Sequence, residues 1–371
     1  MARSVNTRLA MEAVRHRLFL SRYGQGQARK MMAVLKRMNL DVSIRLAAAM
    51  EDSNVNASNY TVQRLTRIKK AIQPTIDAVY RQVWGQLAAD LQEFAKGELI
   101  YQVNTLANIL PQVVLDFHPV KEIPYSQLWA AANSRPFQGV LLQDVPQVLG
   151  ADLVNKIGNA VQMGILQGET YDQITRRVRG SAASGYNDGL MGNAERSLAT
   201  ITRSAVSHVA AEARDQIGDA NAAIIKCEKW LSTLDSHTSK LCIVRDQLLY
   251  DRKTKAPIGH KVPYGAGPGR LHFNCRSTSV YELKGWDELG IPGFKIKGGT
   301  RASMNGQVSD SMNFGTWVKG QSMATLTDVF GVERAQLIRD GKIEPPQLFS
   351  DKGEYLTLAQ LRALDRIPDD D

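Results

Sequence analysis

Long apolar runs are missing from this 371-residue chain. The stretches nearest to one, residues 106–115 and 148–153, fall far short of the roughly 20 residues that cross a bilayer, so no membrane-spanning segment is expected. The start, M-A-R-S-V-N-T-R-L-A, lacks the apolar core of a secretory signal, and the chain is expected to stay where it is made until assembly. Cysteine is scarce too. Three thiols, Cys227, Cys242 and Cys275, cannot form a fully paired disulfide framework, and a chain of this length with 43% hydrophobic residues can bury sizeable cores without one. Reduced thiols or a metal site remain. No Walker or dinucleotide-binding pattern occurs, so the Gly/Ser-rich stretch at residues 181–193 reads as a loop.

Charge is plentiful but unevenly placed. Residues 1–81 carry fifteen Lys/Arg against five Asp/Glu, a surplus larger than the net +9 of the whole chain. Residues 226–276 carry ten against four, and the end reverses sign, finishing Asp369, Asp370, Asp371. Such basic surface concentrates polyanions without specifying which one. Arg8, Arg15, Arg22, Arg29, Lys30, Lys36 and Arg37 are the candidate nucleic-acid contacts.

The first hundred residues have helical periodicity. Met11, Val14 and Leu18, then Met31, Leu35 and Met38, predict a pair of basic amphipathic helices separated at Gly24 and Gly26. Leu65, Ile68, Ile72, Ile76, Val79 and Val83 begin a longer pattern, which restarts or bends at Pro74. The proline-bounded segment around P-Q-V-V-L-D-F-H-P-V suits a linker or edge strand. Farther on, Thr170 and Gln173 have the spacing of a capping box for a helix over 171–178, with Gly180 ending it. Residues 199–217 read as a helix, Ile224 to Trp230 as a strand, and Val262, Tyr264 and S-T-S-V-Y-E-L as further short strands. Gly331 and Gly341 mark helix ends near the C-terminus, and Thr357 with Gln360 has capping-box spacing before a last short helix. The expected fold class is α+β: an extended, mostly helical N-terminal region (1–115), a mixed helix and short-strand module (116–285), and a small helical C-terminal segment (286–371).

Two of the three cysteines and three of the six histidines fall within residues 230–276. His272-x-x-Cys275 is a close ligand pair and His237-x4-Cys242 a looser one. Together these four could hold a structural zinc, and the competing reading is buried cysteine with hydrogen-bonded histidine. No other cofactor is expected. Three catalytic arrangements are also open: Asp235, His237 and His272 around a metal-assisted phosphodiesterase centre, a cysteine paired with His272 as nucleophile, or Ser277, Thr278 and Ser279 with Glu282, which mildly resemble parts of an ADP-ribosyltransferase pattern.

Four segments, A-T-I-T-R-S-A-V, K-W-L-S-T-L-D-S-H-T-S-K-L-C, R-D-Q and L-H-F-N-C-R-S-T, lie in that order within residues 163–283. In this order the region resembles the minor head morphogenesis proteins of tailed bacteriophages, the group named for the F protein of phage Mu. His272, Cys242 and Cys275 match the family's pattern. Phe273 stands where a proline is usual, and Ser239 and Ser277 stand where cysteines often occur. The resemblance implies a structural minor head protein without enzymatic activity, present in several copies in the capsid interior or at the portal vertex after assembly in the host cytoplasm. Its partners would be the portal or major capsid protein and packaged double-stranded DNA, with a part in head assembly or genome ejection. Trp317 reads as a packing anchor, like Leu326, or as a partner contact. The alternative function is a metal-dependent nuclease, or another virion-associated enzyme, using the His/Cys cluster.

Overall fold

A computed structural model describes residues 5–285, 288–290, 300–309 and 311–367. The terminal acidic run Asp369 to Asp371 lies outside the described residues, as does the side chain of Met38. The fold is α+β, with a mostly helical N-terminal region, a mixed module of helices and short strands, and a small helical C-terminal segment. Among the described residues, no helix is long and apolar enough to cross a membrane.

Two long helices open the chain, α1 (Val5–Ser53) and α2 (Val62–Ile109). The periodicity of α2 is borne out, since Ile68, Ile72, Ile76, Val79 and Val83 are all buried, and in α1 Met31 and Leu35 are buried too; of the first stripe, however, Leu18 is exposed and Met11 and Val14 are only partly covered. The expected break at Gly24 and Gly26 does not occur. A glycine costs a helix about 1 kcal/mol relative to alanine, which tertiary packing readily offsets. Arg203 packs beside Gly24, at a distance where a Cβ would make ordinary contact, 3.5 Å from its backbone. Nor does α2 restart at Pro74, which sits inside the continuous helix at the cost of one ladder hydrogen bond.

The segment read as a linker or edge strand forms a short helix instead, α3 (Gln112–Phe117). Pro111 takes the N-cap position and its carbonyl accepts from the N–H groups of Val114 and Leu115. A proline is tolerated there because no helical N–H is needed of it. Then follow α4 (Tyr125–Ser134), α5 (Val145–Leu166), α6 (Tyr171–Arg179) and α7 (Leu190–Ala220). The capping box on α6 is present in both directions: Thr170 accepts from the Gln173 N–H and the Gln173 side chain accepts from the Thr170 N–H. Gly180, at φ 94°, ends the helix in a conformation that side chains resist.

After α7 the chain enters β1 (Ile225–Leu231), α8 (Lys240–Ile243), β2 (Leu249–Tyr250), β3 (Pro257–Ile258) and β4 (Thr278–Leu283). The strands form one antiparallel sheet in the order β3-β2-β1-β4, with Trp230 opposite Ser279 and Lys229 opposite both Val280 and Leu249. Val262 and Tyr264, expected in a strand, lie in irregular chain and are buried by side-chain packing. A hairpin of β5 (Thr300–Ser303) and β6 (Gly306–Ser309) leads to α9 (Phe314–Lys319), α10 (Met323–Phe330), α11 (Val332–Arg339) and α12 (Leu358–Ala363). These last helices share an apolar core that includes Phe314, Trp317, Leu326, Phe330, Ile338 and Leu361.

The chain divides into two compact units that are not contiguous in sequence. One comprises residues 1–21, 95–128 and 207–371 and contains the sheet and the C-terminal helices. The other comprises residues 22–94 and 129–206 and is helical. In the helical unit a buried hydrogen bond of 2.9 Å joins Asn39 of α1 to Glu195 of α7. In the sheet-bearing unit, buried His16 of α1 lies 2.8 Å from the Glu98 carboxylate of α2.

Candidate metal centre

Three of the four sequence-nominated ligands meet. Nε2 of His272 lies 3.3 Å from Sγ of Cys242, and that sulfur lies 3.6 Å from Sγ of Cys275. All three donor atoms fall within 4.8 Å of one another. Local structure explains the placement of each. Ser239 caps α8 by accepting from the Cys242 N–H, which turns Cys242 inward. A tight turn, closed by the Cys275 N–H to the His272 carbonyl at 3.1 Å, brings the other two donors to one side. Asn274 enters that turn at φ 56°, a left-handed conformation that asparagine tolerates better than most residues. The two cysteines are fully buried beside Trp230, Tyr250 and Tyr264, whereas His272 is partly exposed.

The separations suit a tetrahedral metal. Zinc bonds of about 2.3 Å to sulfur and 2.0–2.1 Å to nitrogen put sulfurs about 3.8 Å apart, and sulfur and nitrogen about 3.6 Å apart. The two spacings from Cys242, 3.6 Å to Cys275 and 3.3 Å to His272, agree within a few tenths of an ångström. The imidazole is oriented for ligation as well. Its Nδ1 lies 2.8 Å from the Phe273 carbonyl, which can only accept, so in the neutral ring Nδ1 carries the proton and Nε2 presents its lone pair to the thiols.

Electrostatics divide the thiols. Cys275 is held well below the ordinary thiol pKa by the hydrogen bond from Cys242 and by contact with His272. Cys242 is raised by that same bond and by burial, while the hydrogen bond to Cys275 raises His272. The cluster thus favours a thiolate on Cys275 and a thiol on Cys242.

His237 does not join them. It is exposed on the turn after β1, with its backbone N–H bonded to the Asp235 carboxylate at 3.0 Å. Asp235 is committed elsewhere, accepting from Thr238 and pairing with Arg276 at 2.6 Å, so Asp235, His237 and His272 do not assemble as a metal-binding trio. Sequence reasoning assigned no role at the centre to three residues that surround it. Ser239 Oγ stands 2.8 Å from Nε2 of His272, Ser232 Oγ donates to the Cys242 carbonyl at 2.7 Å, and Arg17 donates to the Cys275 carbonyl at 3.0 Å. Burial lowers the Arg17 guanidinium to a pKa of about 10. Ser239 was visible through its place in the cysteine pattern. Arg17, 258 positions from Cys275, had no local signal.

The other nominated residues are spread more widely. Arg8 donates to the carbonyls of Asn108 and Ile109, Arg15 pairs with Glu12 one turn away, and Lys30 pairs with Asp90 at 2.6 Å. Arg22, Arg29, Lys36 and Arg37 are exposed on α1. Trp317 is buried, with its ring 5.2 Å from that of Phe314, so it serves as a packing anchor and is not presented at the surface.

The expectation that the chain carries no enzymatic machinery needs correction. Cys242, His272 and Cys275 form a cluster able to coordinate a metal ion, and three protein donors with one position left over are the donor set of catalytic zinc sites. That capacity contradicts a flat exclusion of enzymatic activity. Comparison with known protein families, with curated proteins and with solved structures gives no match.

Proposed function

We propose that the protein is a zinc-dependent hydrolase of phosphodiesters whose metal is held by Cys242, His272 and Cys275. The observation that carries this is the donor triad, its three atoms within 4.8 Å of one another, with the Ser239 hydroxyl beside it and, among the described residues, no fourth His, Cys or carboxylate in the group. Zinc bound there would lower the pKa of a bound water and polarise a phosphoryl oxygen. The Phe273 carbonyl keeps the His272 ring in the ligating tautomer, and Ser239 offers a hydroxyl to a substrate oxygen next to that ring. The excess of basic residues over 226–276 favours an anionic substrate. The test is to load metal-free protein with zinc, count bound metal, and follow hydrolysis of bis(p-nitrophenyl) phosphate and plasmid DNA with and without chelator. One zinc per chain and chelator-sensitive turnover are expected. Failure to retain zinc removes the centre, and tight zinc without turnover removes the hydrolase.

A second reading concerns place. We propose that the protein resides in the head of a tailed phage, at the portal or inner capsid, with α1 facing packaged DNA. Two of the segments that carry the resemblance, K-W-L-S-T-L-D-S-H-T-S-K-L-C and L-H-F-N-C-R-S-T, are the ones that build the cysteine and histidine cluster, which favours this reading. Arg22, Arg29 and Lys36 recur every seven residues on α1, about 10.5 Å apart along its axis. Replacing these three and Arg37 with alanine should weaken binding to double-stranded DNA and lower its log–log salt slope by up to about 4. An unchanged slope would remove the DNA contact, and absence of the polypeptide from purified particles would remove the location.

A further inference from the structure

The same cluster carries a second chemistry that needs no metal. We propose that Cys242 and Cys275 are a peroxide-sensitive dithiol that closes into an intramolecular disulfide when the cluster is metal-free. It shares residues with the proposed zinc site but does not depend on zinc being bound.

Geometry makes the case. The two sulfurs are already in contact at 3.6 Å, and a disulfide requires about 2.05 Å, so closure asks for roughly 1.5 Å of side-chain movement. Neither residue belongs to a strand of the sheet. Cys242 sits on the four-residue helix α8, and Cys275 follows the turn that begins at His272, so neither is locked in a ladder that would resist adjustment. Both sulfurs are buried, which favours a small oxidant over a bulky disulfide such as oxidised glutathione. The partly exposed His272 edge is the way in.

Hydrogen peroxide meets these requirements and balances the reaction. One thiolate attacks a peroxide oxygen, the O–O bond breaks, and a sulfenic acid and one water result. The second thiolate then attacks the sulfenic sulfur, forming the S–S bond and expelling hydroxide, which leaves as the second water. Two thiols and one peroxide therefore give one disulfide and two waters. His272 Nε2, 3.3 Å from Cys242 Sγ, is placed to take the thiol proton and return it to the departing hydroxide. Disulfide and zinc are mutually exclusive, since ligation requires both thiolates.

Cys227 supplies an internal reference. It is buried on β1 outside the cluster, and burial with the nearby Glu282 charge pushes its thiol up to about 11, which leaves little thiolate to react. The experiment treats reduced, chelator-stripped full-length protein with one equivalent of hydrogen peroxide, then denatures it and counts thiols with a polyethylene-glycol maleimide. Peptide mapping follows. The expected result is a fall from three reactive thiols to one, with a cross-link between the peptides of residues 242 and 275 in a monomeric chain. Three surviving thiols, a cross-link that includes Cys227, a bond between chains, or sulfinic acid without a cross-link would each overturn the proposal. A parallel arm preloaded with zinc reports separately on the metal: retention of all three thiols there supports zinc ligation, and their loss counts against zinc while leaving the disulfide result intact.

Discussion

His272→Ala is expected to lower zinc affinity by about 10²- to 10³-fold and to abolish metal-dependent hydrolysis, while His237→Ala changes neither. Structural zinc sites bind with roughly 10–16 kcal/mol shared among four ligands, so each strong donor accounts for about 2.5–4 kcal/mol. His272 is the sole nitrogen donor of the cluster, and its ring is already aimed by the Phe273 carbonyl. It is also partly exposed, so its removal should leave the fold intact, which circular dichroism would verify. His237 is the informative control because it was nominated on the same sequence grounds yet stands outside the donor group. Equal losses in the two variants would show that the metal is held elsewhere. Acidity should act in the same direction as the substitution. Cys242 holds its proton because of its bond to Cys275 and its burial, so zinc must expel that proton, and affinity should fall as pH drops. Ser239→Cys should do the opposite and tighten binding, because its side-chain atom already stands 2.8 Å from Nε2 and would become a fourth strong donor.

Asp246→Ala should cost about 3–5 kcal/mol of unfolding free energy, the typical loss when one partner of a buried ion pair is removed. Asp246 and Arg301 are both almost fully buried and lie 3.0 Å apart. The carboxylate also accepts from the Ser232 N–H at 2.8 Å and from the Phe314 N–H at 2.9 Å. One side chain therefore ties the end of β1, the β5 hairpin and the start of α9 together. Alanine would strand a guanidinium and two amide donors away from water. Urea denaturation should show a lower midpoint, and the double variant Asp246→Ala with Arg301→Met should recover part of the loss by removing the unpaired charge. A single-variant loss below about 1 kcal/mol would mean that water reaches the pair.

Legibility followed the range of the interaction. The capping boxes at Thr170 and Thr357 span three residues, and both were readable and are present. The buried stripe of α2 was equally plain, because one helix face repeats in a way that survives any tertiary arrangement. The break at Gly24 was not, since whether a glycine ends a helix depends on what packs against it, here Arg203. The segment at 112–117 alternates well enough for a strand, but short apolar runs are ambiguous and the local hydrogen bonds from Pro111 settled it as helix.

For the centre, the residue types and the His272-x-x-Cys275 spacing were in the sequence, because a four-residue turn can place both donors by itself. The sequence also determined the basic character of α1 and the α+β class. Tertiary structure alone chose Cys242 and rejected His237, five residues away, because the Ser239 cap turns one inward while Asp235 anchors the other's turn at the surface. It also brought Arg17 to Cys275 and Arg301 to Asp246. Such long-range meetings have no local pattern to announce them, since they arise only when separate elements bury their faces together.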